Sequence, residues 1–364
     1  MLSAKTKRNI SRILPFGIIW LVFSVAYSLL EKGILGDLNY YPSTGNPYNF
    51  GQNILITPVS ALIAGLLIGT CEILYFNKWF NKKSFTKKIV YKSLIYLATI
   101  ISFLTVTSLL AQSAELNVSI YNKQVWSYTM TFLFSFALFS VVVYMGSIIV
   151  VSLFYSEVSE NIGHNVLNNF FTGKYHAPTE EERIFMFLDM RSSSAIAENL
   201  GHVKYFEMLR EYYSDMSESI IEHSGEIYQY VGDEIIVSWR LASGQKDNNC
   251  IRCFLAIQAA FKKQQNKYIE RFGVLPGFKA GLHVGKVTTG ELGDLKKEIT
   301  FTGDVLNTTS RIQGLCNANR VDLIISGDLK HRLNLQPPLE IISLGETELR
   351  GKEEKIELFS VRMK

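Results

Sequence analysis

The sequence predicts an N-terminal bundle of four transmembrane helices over 1–154 and a C-terminal α/β domain over 183–364, with a helical linker at 155–182. Two observations predict this division. Apolar residues crowd the first half in long uncharged runs, whereas the second half alternates charged and apolar positions as a water-facing domain does. A chain of 364 residues, 48% of them hydrophobic, has room for two such units.

The apolar runs cover 13–30, 54–76, 89–111 and 125–154. Each reaches or approaches the roughly 20 residues needed to cross a hydrocarbon core. Pro15 and Pro58 are expected near helix N-termini, where proline is tolerated. One such run alone could be a buried core helix, but four in succession argue for a membrane, with Glu72 as the charge that interrupts them near one end. Basic residues set the orientation. Lys5, Lys7, Arg8 and Arg12 precede the first run, and Lys78, Lys82, Lys83, Lys87, Lys88 and Lys92 surround the second-to-third connection, so both segments are expected on the cytoplasmic side. The other two connections carry little positive charge and are expected outside, and four spans return the C-terminal half to the cytoplasm. No small-residue cleavage site follows Leu30, so the first run is expected to remain as a span. The outward connection at 33–52, rich in Gly, Asn, Pro and Tyr, suits a turn-rich link or a small ligand-contacting surface equally.

A net charge of +4 is too small to argue for nucleic acid as a partner. Cys250 and Cys253 form C-x-x-C inside a helical stretch with no second ligand pair nearby, which favours helix packing over a metal or redox site. In the linker, Val158, Ile162, Val166, Leu167 and Phe170 recur at helical spacing. That stripe would pair with its twin in a two-chain assembly or pack on the following domain. Thr172, Gly173 and Pro178 break the pattern and mark the boundary.

Three motifs in the second half carry chemistry. The first is Arg183-Ile-Phe-Met-Phe-Leu-Asp189-Met190, a strand that delivers a carboxylate to the start of a helix entered through Arg191-Ser192-Ser193-Ser194. A metal ligand beside free backbone N–H groups suits a metal-bound polyphosphate, although Asp and Ser also serve as simple helix caps. The second is the run from Gly225 to Trp239, two strands joined at Gly232-Asp233, hence a β-hairpin with a carboxylate at its tip. Two carboxylates so placed can bridge two divalent ions. In the third, a strand and turn from Gly281 to Gly290, and then Ile299 to Thr302, feed a helix on which Asn307 and Arg311 share one face. They would face solvent or reach a sugar and a phosphate.

With these motifs in this order, the segment from about Glu182 onward resembles the catalytic domain of class III adenylyl and guanylyl cyclases. The resemblance implies a ferredoxin-like core and two composite sites at a head-to-tail homodimer interface. It implies two divalent cations, magnesium or manganese, held by Asp189, Asp233 and the Met190 backbone carbonyl, with Asn307 and Arg311 arriving from the partner. Ser192, Ser193 and Lys352 would bind phosphate, and Gln229 and Thr300 would read the base. The substrate implied is ATP, with GTP as the alternative, because Gln229 departs from the lysine usual in related adenylyl cyclases and the glutamate usual in guanylyl cyclases. The reaction implied is attack of the ribose 3′-hydroxyl on the α-phosphorus, with loss of pyrophosphate. A catalytically silent relay module would be marked by loss of Asp189, Asp233, Asn307 or Arg311, and all four are present. A transporter would need charged or interrupted spans, which the sequence does not offer.

Overall fold

A computed structural model describes residues 3–42, 45–80, 83–349 and 354–364. It divides into two compact units, one of Thr6–Asn168 and one of Asn169–Lys364 together with the N-terminal residues up to Lys5.

The first unit is built of helices, with an isolated antiparallel bridge between Tyr40 and Pro47 in its first connection. Helix α1 covers Ala4–Leu35 and α2 covers Phe50–Cys71, which runs through one wide turn at Glu72–Phe76 into the short α3, Asn77–Trp79. Helix α4 covers Phe85–Leu116, α5 Lys123–Leu133 and α6 Phe136–Ile162. Four stretches, Ala4–Leu35, Phe50–Trp79, Phe85–Leu116 and Phe136–Ile162, are long and apolar enough to cross a bilayer. Three details differ from the sequence expectation. The helices begin earlier, so Pro15 and Pro58 lie inside α1 and α2 rather than at their N-termini; neighbouring helices re-satisfy the freed carbonyls in such bundles. The fourth run is not one span, because Ser135 accepts the Leu138 amide at 3.2 Å and starts a new helix. Lys92, grouped from sequence with the connection, lies inside α4 and is fully buried.

Buried Lys92 needs partners. Its ammonium meets Glu72 at 2.5 Å and Glu157 of α6 at 2.9 Å, and donates to Asn77 Oδ1 at 3.0 Å. Tyr96 donates to the other oxygen of Glu72 at 3.1 Å, and Lys88 pairs with Glu157 at 3.0 Å. This cluster joins α2, α4 and α6 at one end of the bundle. The wide turn at Glu72–Phe76 carries Glu72, as such insertions often re-aim a functional or structural side chain.

The second unit begins with α7, His164–Thr172, of which the last residues belong to it. The helical linker ends there, and strand β1 runs Thr179–Met190, starting earlier than the expected boundary at 183. Then follow α8 (Ser193–Leu200), α9 (His202–Glu222), β2 (Glu226–Val231), β3 (Glu234–Arg240), α10 (Leu241–Gln245), α11 (Asn249–Lys263) and α12 (Gln265–Phe272). The chain continues through β4 (Phe278–Leu292), β5 (Glu298–Thr302), α13 (Asp304–Gly314), β6 (Leu323–Ser326), α14 (Gly327–Arg332), β7 (Leu339–Glu348) and β8 (Lys355–Met363). The sheet order is β2-β3-β1-β4-β6-β8-β7, with β5 paired to the far end of β4. The first four strands are antiparallel neighbours and stand in the order 4-1-3-2, the ferredoxin-like arrangement.

Strand β1 is buried on both faces, which is why it reads as an almost continuous apolar run. Ile184, Met186 and Leu188 pack with Met208, Tyr212 and Met216 of α9 and with Cys250, Cys253 and Phe254 of α11. The cysteines are thus core residues, and burial pushes the Cys250 thiol up to about 12. Phe185 and Phe187 alternate onto the opposite face with Val287 and Val305. Asp189 continues that second face.

Candidate active site

The register of the sheet brings the acidic groups together. Leu188 pairs with Ile235, so one further residue places Asp189 beside Glu234 and next to the Gly232-Asp233 tip of the hairpin. Gly232 supplies the turn's positive φ of 63°, which other residues adopt at a cost. Tyr213 of α9 holds this tip, its hydroxyl 2.8 Å from the Gly232 carbonyl and 3.3 Å from that of Glu234. The Asp189 and Asp233 carboxyls lie within hydrogen-bonding reach of each other.

Titration reflects the crowding. Burial first, and then the neighbouring Asp233, raises the Asp189 carboxyl above its ordinary range, opposed by Lys279 and Gln313. Glu234 is pushed up to about 7 by burial and by the charges of Asp189 and Asp233. Lys279 stands opposite Asp189 across the β1–β4 ladder, its ammonium 3.4 Å from the carboxylate. Asp189 and Glu234 both lie in the field of the Lys279 ammonium. Hard oxygen donors of this kind fit magnesium or manganese. No group of three His, Cys, Asp or Glu side chains among the described residues is placed to hold a metal ion by itself. Met190 ends β1 directly after Asp189 and is itself buried.

Ser192 takes a left-handed conformation at φ 56°, and Ser193 opens α8 with no side chain capping its first amides. Those amides begin four residues after Asp189. Arg191, in contrast, is committed to structure, donating to Asn317, the Val321 carbonyl and Asp322 at 2.7–2.8 Å.

Helix α13 lies on the Asp189 face of the sheet. A Cβ at Gly281 would collide with the backbone of Gln313, so only glycine admits the helix so close to β4. Gln313 uses that approach to donate to Asp189 at 3.1 Å. At about 100° of rotation per residue, Arg311 and Asn307 stand about 160° and 120° round the helix from Gln313. Both project away from the acidic pair of their own chain. Asn307 is exposed and Arg311 half-buried, and neither pairs with another described residue.

Gln229 and Thr300 lie on different strands that meet here. Tyr228 of β2 packs on Phe301 of β5 with ring centroids 4.8 Å apart, and its hydroxyl accepts the Phe301 amide at 3.4 Å. Gln229, exposed, and Thr300, half-buried, are the immediate neighbours of that contact. Lys352 lies outside the described residues. Tyr213, Glu234, Lys279 and Gln313 were not identified from sequence; Glu234 alone carried a signal, its adjacency to Asp233.

Comparison with known proteins agrees with this architecture. Residues 176–362 match the family model described as the adenylate and guanylate cyclase catalytic domain. Over 211 residues the chain is 33% identical to adenylate cyclase 2 of Rhizobium meliloti (strain 1021), covering 57% of this chain and 58% of that protein. Over 194 residues it is 25% identical to adenylate cyclase 1 of the same organism, covering 51% of this chain and 28% of the relative. The chain thus spans little more than half of the first relative and less than a third of the second. A solved bacterial light-regulated adenylyl cyclase shares the fold at a TM-score of 0.52 and 20% identity, over 63% of this chain and 66% of that one. On the match over its C-terminal half, the chain belongs to the class III adenylyl and guanylyl cyclase family.

Proposed function

We propose that this chain is a membrane-anchored adenylyl cyclase that forms 3′,5′-cyclic AMP and pyrophosphate from ATP at two sites shared across a homodimer. The observation that carries the reading is the opposed placement of the two halves of the site. Asp189 and Asp233 converge at one end of β1, while α13 turns Asn307 and Arg311 away from them. A second copy would complete what one chain divides. The catalytic unit also leaves Val203, Phe206 and Leu292 in solvent, apolar surface that a partner would cover.

In this reading Asp189, Asp233 and the Met190 carbonyl would hold two divalent cations, which when bound supply positive charge at the attacking oxygen and along the polyphosphate. The free amides at Ser192 and Ser193 receive phosphate oxygens. Asn307 of the partner orients the ribose so that attacking oxygen and leaving group fall in line. Arg311, which pairs with no other described residue of its own chain, neutralises charge gathering on the α-phosphate. Gln229 and Thr300 face the base, and ATP is favoured because the matched relatives are named adenylate cyclases. GTP is the second reading, since the Gln229 amide both donates and accepts and so suits either purine. The apolar helices anchor the chain in the bacterial plasma membrane with the catalytic unit in the cytoplasm, a reading that the basic connections support.

The test is to incubate the purified full chain in lipid nanodiscs with Mg²⁺ or Mn²⁺ and each of the four nucleoside triphosphates, identifying products by mass spectrometry. Cyclic AMP from ATP is expected. Cyclic GMP alone would move the assignment to GTP, and no cyclic product from any of the four would overturn the enzymatic reading.

A further inference from the structure

Gln313 holds the Asp189 carboxyl from within the same chain, a contact to which the cyclase reading gives no role. It lies in the last turn of α13, is 6% exposed, and donates its side-chain amide to Asp189 Oδ2 at 3.1 Å. The Lys279 ammonium stands 3.4 Å from the same oxygen. Among the described residues, the amide and the ammonium that reach Asp189 thus both fall on Oδ2, which leaves Oδ1 clear of both.

Strand β4 sets both donors. Lys279 is the cross-strand neighbour of Asp189, and Gly281, two residues further and so on the same face, admits α13. A Cβ at Gly281 would lie 2.4 Å from the Gln313 backbone nitrogen and 2.7 Å from its Cα. Around this contact Ile312 and Cys316 are fully buried, and the Cys316 thiol donates to the Ala280 carbonyl at 3.3 Å. The end of α13 is therefore fixed on β4, and the Gln313 amide has little freedom to leave its acceptor. A glutamine buried for packing alone needs some acceptor, and a backbone carbonyl would serve. Here the acceptor is the carboxylate assigned to the metal.

We propose that Gln313 is a positioning residue of the reaction, fixing Asp189 through Oδ2 so that Oδ1 is presented to a divalent cation. Hydrogen-bonded partners of ligating carboxylates orient them, and losing one typically costs about 10–100-fold in metal affinity. The inference rests on the cyclase reading, and within it α13 takes part in both sites of a dimer. Asn307 and Arg311 serve the site completed by the partner's carboxylates, whereas Gln313, on the other side of the helix, serves the carboxylates of its own chain. An effect of Gln313 should therefore travel with Asp189 and not with Arg311.

Gln313→Met keeps the side-chain length and helix propensity and removes the donor. Mn²⁺ binding to the full chain in nanodiscs is followed by electron paramagnetic resonance with 3′-deoxy-ATP present, a nucleotide that lacks the attacking hydroxyl, so the readout needs no turnover. The variant should bind Mn²⁺ about tenfold more weakly. Mixed dimers of Arg311→Ala and Asp233→Ala chains then separate positioning from support of the helix. With Gln313→Met in the Arg311→Ala chain, which supplies the working carboxylates, the Mn²⁺ concentration for half-maximal rate should rise about tenfold while kcat at saturating Mn²⁺ stays within about twofold. With Gln313→Met in the Asp233→Ala chain, which supplies Arg311, neither should change. Unaltered Mn²⁺ affinity would overturn the proposal, as would an equal loss of kcat from both placements, which would make Gln313 a support of α13. Inactive mixed dimers without any change at Gln313 would overturn the shared site instead, and the resonance titration alone would then decide the role of Gln313.

Discussion

Buried carboxylates occur in both units, and they are compensated in opposite ways. Glu72 and Glu157 in the helical unit share Lys92, and a second ammonium, Lys88, reaches Glu157, so every charge there has a partner at 3.0 Å or less. In the catalytic unit Asp189 and Glu234 crowd beside Asp233, and among the described residues the cation set against Asp189 is Lys279, 3.4 Å away. The first cluster is neutral in itself and ties three helices together. The second carries an excess of negative charge beside the end of a strand, an arrangement that stores repulsion and favours a cation. Charge removal should therefore have opposite consequences in the two places.

The largest effect is expected on activity. Asp189→Asn should lower cyclic nucleotide formation at least about a thousandfold, the scale of several kcal/mol of lost transition-state stabilisation. Its thermal stability in chelator should nevertheless hold or rise, because a like charge has been removed. A fall in stability with activity retained would erase the contrast. In the helical unit, Lys92→Met leaves two carboxylates buried without a counter-charge and should cost about 3–5 kcal/mol, read as a lower unfolding temperature in nanodiscs. Adding Glu72→Gln to Lys92→Met should recover part of the loss. No loss at all would show that the cluster is wetter and less structural than its burial indicates.

A pH dependence follows in the catalytic unit. Burial and the charges of Asp189 and Asp233 raise the folded Glu234 carboxyl from its ordinary value of 4.5 to about 7, so between those values the folded state binds more protons than the unfolded chain. Stability in chelator should then fall as pH rises from 4.5 to about 7. Glu234→Gln should flatten that slope, and Mg²⁺ or Mn²⁺ should reverse it by favouring the ionised groups. The smallest effect belongs to Gln229→Lys, which should shift the ratio of ATP to GTP turnover by about tenfold through contacts to the base. An unchanged ratio would remove Gln229 from base reading.

Much of the catalytic fold was legible because it is written locally. The continuous apolar run ending at Asp189, the Gly232-Asp233 hairpin and the helix bearing Asn307 and Arg311 each show their pattern within a short window. Partners set by register were not legible: Lys279 is brought to Asp189 by strand pairing and Gln313 by the close approach at Gly281. Lys92 was grouped with the basic connection because it sits near the edge of its run, where a single charge does not show whether it faces water or a buried partner. Its counter-ion Glu157 lies 65 residues away, a distance no periodicity reports. The break before α6 was missed for a related reason, since one serine capping a new helix barely alters the hydropathy of the run around it.

The division of the catalytic site between two chains is tested most directly by mixing. Asp233→Ala and Arg311→Ala variants, each inactive alone, are combined in equal amounts as full chains in detergent, allowed to exchange and assayed for cyclic nucleotide. Half of the dimers should be mixed, each with one of its two sites made only of unaltered residues, so activity should return to about one quarter of that of the unaltered protein. Mixed dimers demonstrated by differential tags but showing no recovered activity would contradict the account, because Asp233 and Arg311 would then have to serve within one chain.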